Sequence, residues 1–382
     1  IFCQNLSMIK KQNTLKFIDL FSGCGGFSCG LEMAGHKCLL GVDFERDAIQ
    51  SFQANHPQAE VFHGDIKTLT QDKLTELIKG QSVDMVVGGP PCQGFSTIGK
   101  GESSDARNNL FQEFVRIVNT VNPKIVIFEN VTGILAKKNQ PILKKIFKSF
   151  EDLGYTMDAR VLSSEEYGVA ETRRRTIIIG TKACATPLFP KISHGDRGSI
   201  ALNNVGNVLH DLRASDGIIY NHDVKAAEIK KKIDLERLKH IPEGCSIRYR
   251  KDEQKYLPNR LHHDVEWESL AEGRFRQAKL QRLDRRLPSP TILTSRTSYY
   301  HPVENRYLTP REVAACQSFP NNFIFSGSIT SQFRQIGNAV PPLLAKAIGE
   351  TIKLIMASRR KSKSKEIDFG KYAFRYDAKT AA

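Results

Sequence analysis

Cys92 lies in Gly88–Gly89–Pro90–Pro91–Cys92–Gln93–Gly94–Phe95–Ser96, directly after the apolar strand candidate Asp84–Val87. Two prolines fix the backbone ahead of the thiol, and a rigid scaffold can aim a nucleophile presented at a strand's carboxyl end. Cysteine is intrinsically nucleophilic, and a nearby helix N-terminus or cation would raise its thiolate fraction. A lone cysteine is more often a small buried hydrophobe, which is the reading for the other seven. Glu129 closes a second apolar run, Ile125–Val126–Ile127–Phe128. A carboxylate at the mouth of such a run is expected to be partly desolvated, which suits it to give a hydrogen bond or proton to a ring nitrogen, although it could also cap the next helix. In Glu171–Thr172–Arg173–Arg174–Arg175, alternation along an extended segment puts Arg173 and Arg175 on one face. Two guanidiniums on one face can clamp a phosphate together with a polarised carbonyl.

A second group suits a nucleoside. Phe17–Ile18–Asp19–Leu20–Phe21–Ser22–Gly23–Cys24–Gly25–Gly26–Phe27 reads as a strand running into a glycine turn and then a helix. Glycines there let the backbone approach a ligand and open a helix N-terminus. It is not a dinucleotide fingerprint, because the third glycine of G-x-G-x-x-G would fall on Ser28. Asp43 ends the second strand, where a carboxylate can accept both hydroxyls of a ribose, and Asp65 follows the third. Gln335–Ile336–Gly337–Asn338–Ala339–Val340–Pro341–Pro342 is a glycine turn opening a last helix.

The elements that must position these residues are legible up to about residue 180. β-rich runs at Lys16–Phe21, Lys37–Val42, Val83–Val87, Lys124–Phe128 and Thr176–Gly180 alternate with helical periodicity such as Leu110–Val121 and Pro141–Leu153. This predicts an α/β fold with a doubly wound, mostly parallel sheet, in which ligands bind outside the carboxyl ends of the strands. From Thr181 to about Asp284 the pattern turns irregular, with one charged helix candidate, Val224–Lys239, and basic patches interleaved with aromatics at Arg248–Tyr249–Arg250 and Arg274–Phe275–Arg276. Periodicity returns near Thr309–Phe319 and Pro341–Met356. The expected division is 14–180, a catalytic and cofactor-binding domain; 181–284, a second, smaller irregular domain; 285–356, its remainder and the return to the first domain; and 357–382, a basic tail.

With 382 residues, 40% hydrophobic and 25% charged, the chain has an ordinary globular composition and room for more than one domain. No window approaches the roughly 18 apolar residues of a membrane span. Eight cysteines without a Cys-x-x-Cys pair argue against a zinc site or a disulfide framework, so reduced thiols and a cytoplasmic location are expected. The net charge of +15 is uneven: residues 1–180 carry 21 basic and 20 acidic side chains, whereas 285–382 carry 16 and 6. Such a surplus is the footprint of a polyanion binder, or of a solvated surface with a basic tail.

Taken in order, these blocks resemble the DNA (cytosine-5)-methyltransferases of the bacterial restriction-modification (type II) kind, over nearly all of residues 16–356. The matching elements are the Asp-Leu-Phe-x-Gly-x-Gly-Gly turn, Gly64–Asp65–Ile66, Pro-Pro-Cys-Gln, Arg107–Leu110, Glu-Asn-Val, the arginine block, Leu308–Thr309–Pro310–Arg311–Glu312 with Gln317–Ser318–Phe319–Pro320, and Gln-x-Gly-Asn-Ala-Val. Two departures are Glu171, where family members commonly have Gln, and Ala315–Cys316–Gln317–Ser318 in place of Arg-Leu-Gln-Gly. The resemblance implies a Rossmann-like methyltransferase fold and methylation of carbon 5 of a flipped-out cytosine in a specific duplex sequence, through a covalent Cys92 adduct at carbon 6. It gives Glu129 to ring nitrogen 3 and the exocyclic amine, Arg175 to the base carbonyl, and Arg173 to supporting Arg175 and a phosphate.

For the methyl donor, S-adenosylmethionine, the resemblance implies Asp19, Phe21, Gly23, Gly25, Asp43, Phe44, Asp65, Ile66, Pro91, Leu110 and Asn338. For DNA it implies Gln93, Ser96, Arg107 and Thr291, with the irregular region as the target-recognition domain. It also implies a bacterial, nucleoid-associated enzyme acting on double-stranded DNA, without metal, and leaves room for a separately acting cognate restriction endonuclease; a monomer is expected because an asymmetric target strand needs one active site. The alternatives are a tRNA cytosine-5 methyltransferase, against which the lack of a Cys-Phe-Thr element counts, and a catalytically silent DNA-binding homologue.

Overall fold

The computed structural model describes residues 14–90, 110–183, 186–276 and 278–357. They divide into two compact units. The first holds the described residues up to Ser163, Arg174–Lys191, and those from Pro342 on; the second holds Ser164–Arg173 and Ile192–Pro341. The short stretch Ser164–Arg173 thus leaves the first unit, and Pro341/Pro342 marks the return to it.

The first unit is built on β1 (Lys16–Leu20), β2 (Lys37–Asp43), β3 (Glu60–His63), β4 (Met85–Gly88), β5 (Ile125–Val131), β6 (Thr156–Ser163) and β7 (Arg174–Thr181). Among the described residues these form one seven-stranded sheet in the order β3-β2-β1-β4-β5-β7-β6. The pairings from β3 to β5 are parallel, whereas β7 runs antiparallel to both β5 and β6. The central strands read as unbroken apolar runs because both faces are covered, and Ile125–Phe128 are fully buried. β6 has no such signature, since Asp158 and Arg160 interrupt it, and the sequence reading did not find it.

Helices α1 (Gly26–Met33), α2 (Arg46–Asn55), α3 (Gln71–Leu77), α4 (Leu110–Val121) and α5 (Gln140–Glu151) connect the strands. α4 buries Phe114, Ile117 and Val118, an i, i+3, i+4 stripe. Phe114 meets Phe128 and Phe150 with ring centroids 5.8 and 6.2 Å apart, which packs α4 and α5 together against β5.

The second unit has short elements: α6 (Val205–Leu209), α7 (Lys232–Lys239), α8 (Arg250–Tyr256), α9 (Pro310–Cys316) and α10 (Ile329–Asn338). The predicted helix Val224–Lys239 is helical only over α7. Upstream, Glu228 bridges to Arg306 and Tyr307 donates its N–H to Ala227 O at 2.9 Å, so a long-range pairing displaces the helical turns. With few ladders, many buried carbonyls need other donors, and arginines provide them. Arg282 donates to Ile241 O and Leu238 O, both at 2.9 Å, and to His301 O at 3.1 Å. Arg311 does the same for Tyr220 and Pro320.

The last helix, α11 (Pro342–Ala357), returns to the first unit and packs on α1. Gly30 makes this fit possible, because a Cβ there would lie 2.1 Å from Pro342 O and 2.4 Å from Ala345 Cβ. His36 Nε2 bonds to Gly349 O at 2.9 Å, tying the end of α1 to the same helix.

Candidate active site

In the first unit, β1 ends in a turn whose backbone is left-handed at Phe21 (φ 59°), Gly23 (φ 55°) and Gly25 (φ 92°). An added Cβ at Gly23 would meet nothing within 4 Å, so the turn is open there. At Gly25 it would come within 2.4 Å of His56 Nε2. His56 is buried, bonds to Gly25 O at 3.2 Å, and is held by Glu32 at 2.7 Å. The sequence reading missed His56. Its only local signal is a histidine at the end of α2, four residues after the buried Phe52.

Asp43 closes β2 and pins the turn. Its Oδ2 accepts the Gly23 N–H at 2.7 Å and its Oδ1 the Glu45 N–H at 2.8 Å. Burial raises its proton affinity in spite of those two amides. Each oxygen keeps a second lone pair for a ligand hydroxyl. Phe44 beside it is 71% exposed, so its ring is open to solvent next to that carboxylate. Asp65 is exposed and caps the turn Ile66–Thr68 through Lys67 N–H at 3.0 Å. Leu110, the first residue of α4, is half-buried against the core.

Two of the expected donor-binding residues have side chains that turn inward. Asp19 is 1% exposed, and its carboxylate accepts from Ser28 Oγ at 2.6 Å, inside the fold. Ile66 turns its side chain into the hydrophobic core, and its carbonyl is taken by Arg116 Nη2 at 2.9 Å. Both support the rim from beneath, because burial between strand and helix leaves their side chains no open face.

Burial pushes the Asp19 carboxyl from its ordinary 3.8 up to about 7, against the lowering effect of the Ser28 hydroxyl. A carboxyl protonated more readily when folded than when unfolded gives stability that is present below about pH 4 and lost as the pH rises through about 7. Asp19→Asn is therefore expected to flatten the fall in stability over that window, by up to about 1.4 kcal/mol per pH unit. Urea midpoints of both proteins across this range check it, and parallel profiles would count against it.

At the carboxyl end of β5, Glu129 Oε1 pairs with Arg175 Nε on β7 at 2.7 Å, and both side chains are largely enclosed. Arg175 Nη1 also donates to Arg174 O at 2.8 Å. The other Glu129 oxygen lies near Gly89, where a Cβ would approach Oε2 to 3.5 Å. Asn130 Nδ2 donates to Pro90 O at 3.3 Å, fastening the strand end that leads into Pro-Pro-Cys. Pro91, Cys92, Gln93, Ser96 and Arg107 lie outside the described residues.

Arg173 belongs to the second unit and departs from the expected clamp. It is 1% exposed, and its Nη2 donates to Gly337 O in the last turn of α10 at 2.9 Å. A guanidinium so enclosed satisfies a helix-end carbonyl and has no face for a phosphate. Glu171, the departure from the family pattern, is fully buried 3.8 Å from Arg173 Nη1 and accepts Ile292 N–H at 2.6 Å. Thr291 Oγ1 donates to Thr172 O at 2.7 Å, and Asn338 at the end of α10 is exposed.

The seven-stranded, mostly parallel sheet with its flanking helices matches the fold of S-adenosylmethionine-dependent methyltransferases. A family model described as C-5 cytosine-specific DNA methylase matches residues 15–354. The chain belongs to that family and is an enzyme of its kind, a C-5 cytosine DNA methyltransferase. It is 35% identical over 342 residues to the Type II methyltransferase M1.HphI of Haemophilus parahaemolyticus, covering 89% of this chain and 87% of the relative. It is 33% identical to M.DdeI of Desulfomicrobium norvegicum, covering 88% of each.

Among solved structures, a DNA modification methyltransferase encoded within an E. coli prophage matches with a TM-score of 0.67 and 26% identity, over 90% of this chain and all of that one. A DNMT2 structure from Spodoptera frugiperda matches at 0.59 and 18% identity, which shows the fold alone and gives the tRNA alternative no support. The family generally uses S-adenosylmethionine as methyl donor. Among the described residues, no helix is long and apolar enough to cross a membrane.

Proposed function

We propose that this chain methylates carbon 5 of a cytosine flipped out of a specific duplex DNA sequence, with Cys92 as the nucleophile. The supporting observation is the Glu129–Arg175 pair beside Gly89, with Asn130 fastening Pro90 immediately ahead of the Pro-Cys step. Cytosine carbon 5 is a poor nucleophile until a group adds to carbon 6. The Cys92 thiolate forms the sulfur–carbon bond there, and the displaced ring electrons raise the charge on carbon 5 and the base's polar edge. Glu129 binds ring nitrogen 3 and the exocyclic amine, stabilising that charge, and donors left on the Arg175 fork take the base carbonyl. After methylation the carbon 5 proton leaves, the sulfur–carbon bond breaks, and Cys92 is restored. Arg173, assigned by resemblance to supporting Arg175, holds the end of α10 within the second unit.

The open glycine turn, the half-buried Asp43 carboxylate and the exposed Phe44 ring suit a nucleoside. Phe21, Gly23 and Gly25 would hold its backbone side, Asp43 its ribose, Phe44 and Asp65 its adenine. Asp19 and Ile66 would position that surface, while Pro91, Leu110 and Asn338 are assigned by resemblance. When bound there, S-adenosylmethionine supplies a methyl group activated by a sulfonium centre. Gln93, Ser96, Arg107 and Thr291 are assigned to DNA in the same way. An asymmetric target strand needs one active site, which favours a monomer. Relatives named Type II methyltransferases support a bacterial setting with a separately acting cognate endonuclease, and a nucleoid association follows from the proposed DNA substrate.

The test is transfer of labelled methyl from S-adenosylmethionine to duplex DNA and to tRNA, followed by bisulfite sequencing of the product. Label in duplex DNA with cytosines protected in one sequence context is expected. Label confined to tRNA, or DNA label without protected cytosines, would overturn the proposal.

A further inference from the structure

The second unit carries a group of cations brought together by its backbone. Segment 246–249 is bridged at both ends: Ser246 to Gln281 and Tyr249 to Arg274. Ile247 N–H donates to Leu280 O and Phe275 N–H to Arg248 O, each at 3.1 Å. Arg248, Arg274 and Lys279 all stand on this paired arm. The Arg248 guanidinium is fixed by two carbonyls, Phe275 O at 2.5 Å and Arg276 O at 3.1 Å. Arg274 Nη1 donates to Tyr249 Oη at 3.0 Å.

Acid balances these charges only in part. Glu272 pairs with both Arg274 and Arg276, while Arg248 and Lys279 enter no ion pair among the described residues. Burial, and after it the charge of Arg274, pushes the Arg248 guanidinium below its ordinary range. Burial, then Arg248 and Arg274, pushes the Lys279 ammonium down too. The arm is stiff: the Phe275 ring stands 5.0 Å from Trp267 and 5.1 Å from His263, and both of these bond to the buried Glu253. Half-buried like charges held rigidly, with Arg248 and Lys279 not neutralised from within, cost free energy that a bound anion returns.

We propose that Arg248, Arg274 and Lys279 form a phosphate-anchoring site that grips the backbone of duplex DNA independently of base sequence. The inference rests on the DNA-methylating reading above and deepens it by separating backbone grip from base readout. Its test is binding of the full chain to a short random-sequence duplex, and to one containing the methylated site, over a series of salt concentrations. Lys279→Gln is the deciding variant, since Lys279 has no hydrogen bond within the described residues to lose; Arg248→Gln is the second.

Each substitution is expected to weaken binding to both duplexes by the same factor and to make the slope of log K against log salt shallower by about 0.9. An unchanged slope for Lys279→Gln, or a loss confined to the methylated sequence, would overturn the anchor. Methyl transfer by the wild type is measured on the same duplexes. A wild type inactive on DNA sinks the underlying reading, whereas an active one with an unchanged slope in the variant sinks the anchor alone.

Discussion

Cys92→Ala is expected to lower single-turnover methyl transfer to duplex DNA by at least about 10,000-fold, the scale seen when a covalent nucleophile is removed from an otherwise intact site. Without sulfur at carbon 6, carbon 5 never becomes electron-rich enough to take a methyl group, so binding energy elsewhere cannot compensate. The same substitution is expected to abolish the denaturant-resistant complex that wild type forms with a duplex carrying 5-fluorocytosine, because fluorine at carbon 5 blocks the final proton loss. Persistence of that complex in the alanine variant, or a rate within tenfold of wild type, would remove Cys92 from the reaction.

Glu129→Gln is expected to slow the same step by about two to four orders of magnitude. Glutamine keeps the volume and can still accept from Arg175 Nε, now 2.7 Å from Glu129 Oε1. It cannot carry the charge or exchange the proton that nitrogen 3 requires. Arg175→Ala should cost less alone, and the double variant about as much as Glu129→Gln, since the two side chains act as one unit. Losses that simply add would show that carboxylate and guanidinium work separately. Duplex binding measured alongside separates this from a general loss of affinity.

The sequence made the central sheet readable for a physical reason. Strands covered on both faces must be apolar along their length, so β1, β2, β4 and β5 stand out as runs, whereas β6 carries Asp158 and Arg160 and does not. The second unit was readable mainly as an absence of pattern. Its carbonyls are satisfied by arginines far away in sequence, such as Arg282, which no local periodicity encodes.

Residue types and spacing singled out the turn, Asp43, Glu129 and Arg175, and the structure places each at the end of a strand, where the roles proposed above would need them. Direction was harder. Asp19 and Ile66 occupy the expected positions but point into the fold, and that depends on Ser28, Arg116 and the core around them. Alternation gave Arg173 and Arg175 the same parity, yet Arg173 is claimed by Gly337, 164 residues away. His56 had no motif to announce it, since its partners Gly25 and Glu32 come together only when α2 docks.

The seating of α11 on α1 bears on how the protein is made. His36 and its partner Gly349 are separated by 313 residues, and Gly30 has no room for anything but the backbone of Pro342. During translation the glycine-turn helix must wait, its apolar side uncovered, until the ribosome has released residues beyond Ala357. A nascent chain that lacks α11 leaves the face of α1 around Gly30 uncovered, so the first unit closes only after the whole second unit has been synthesised.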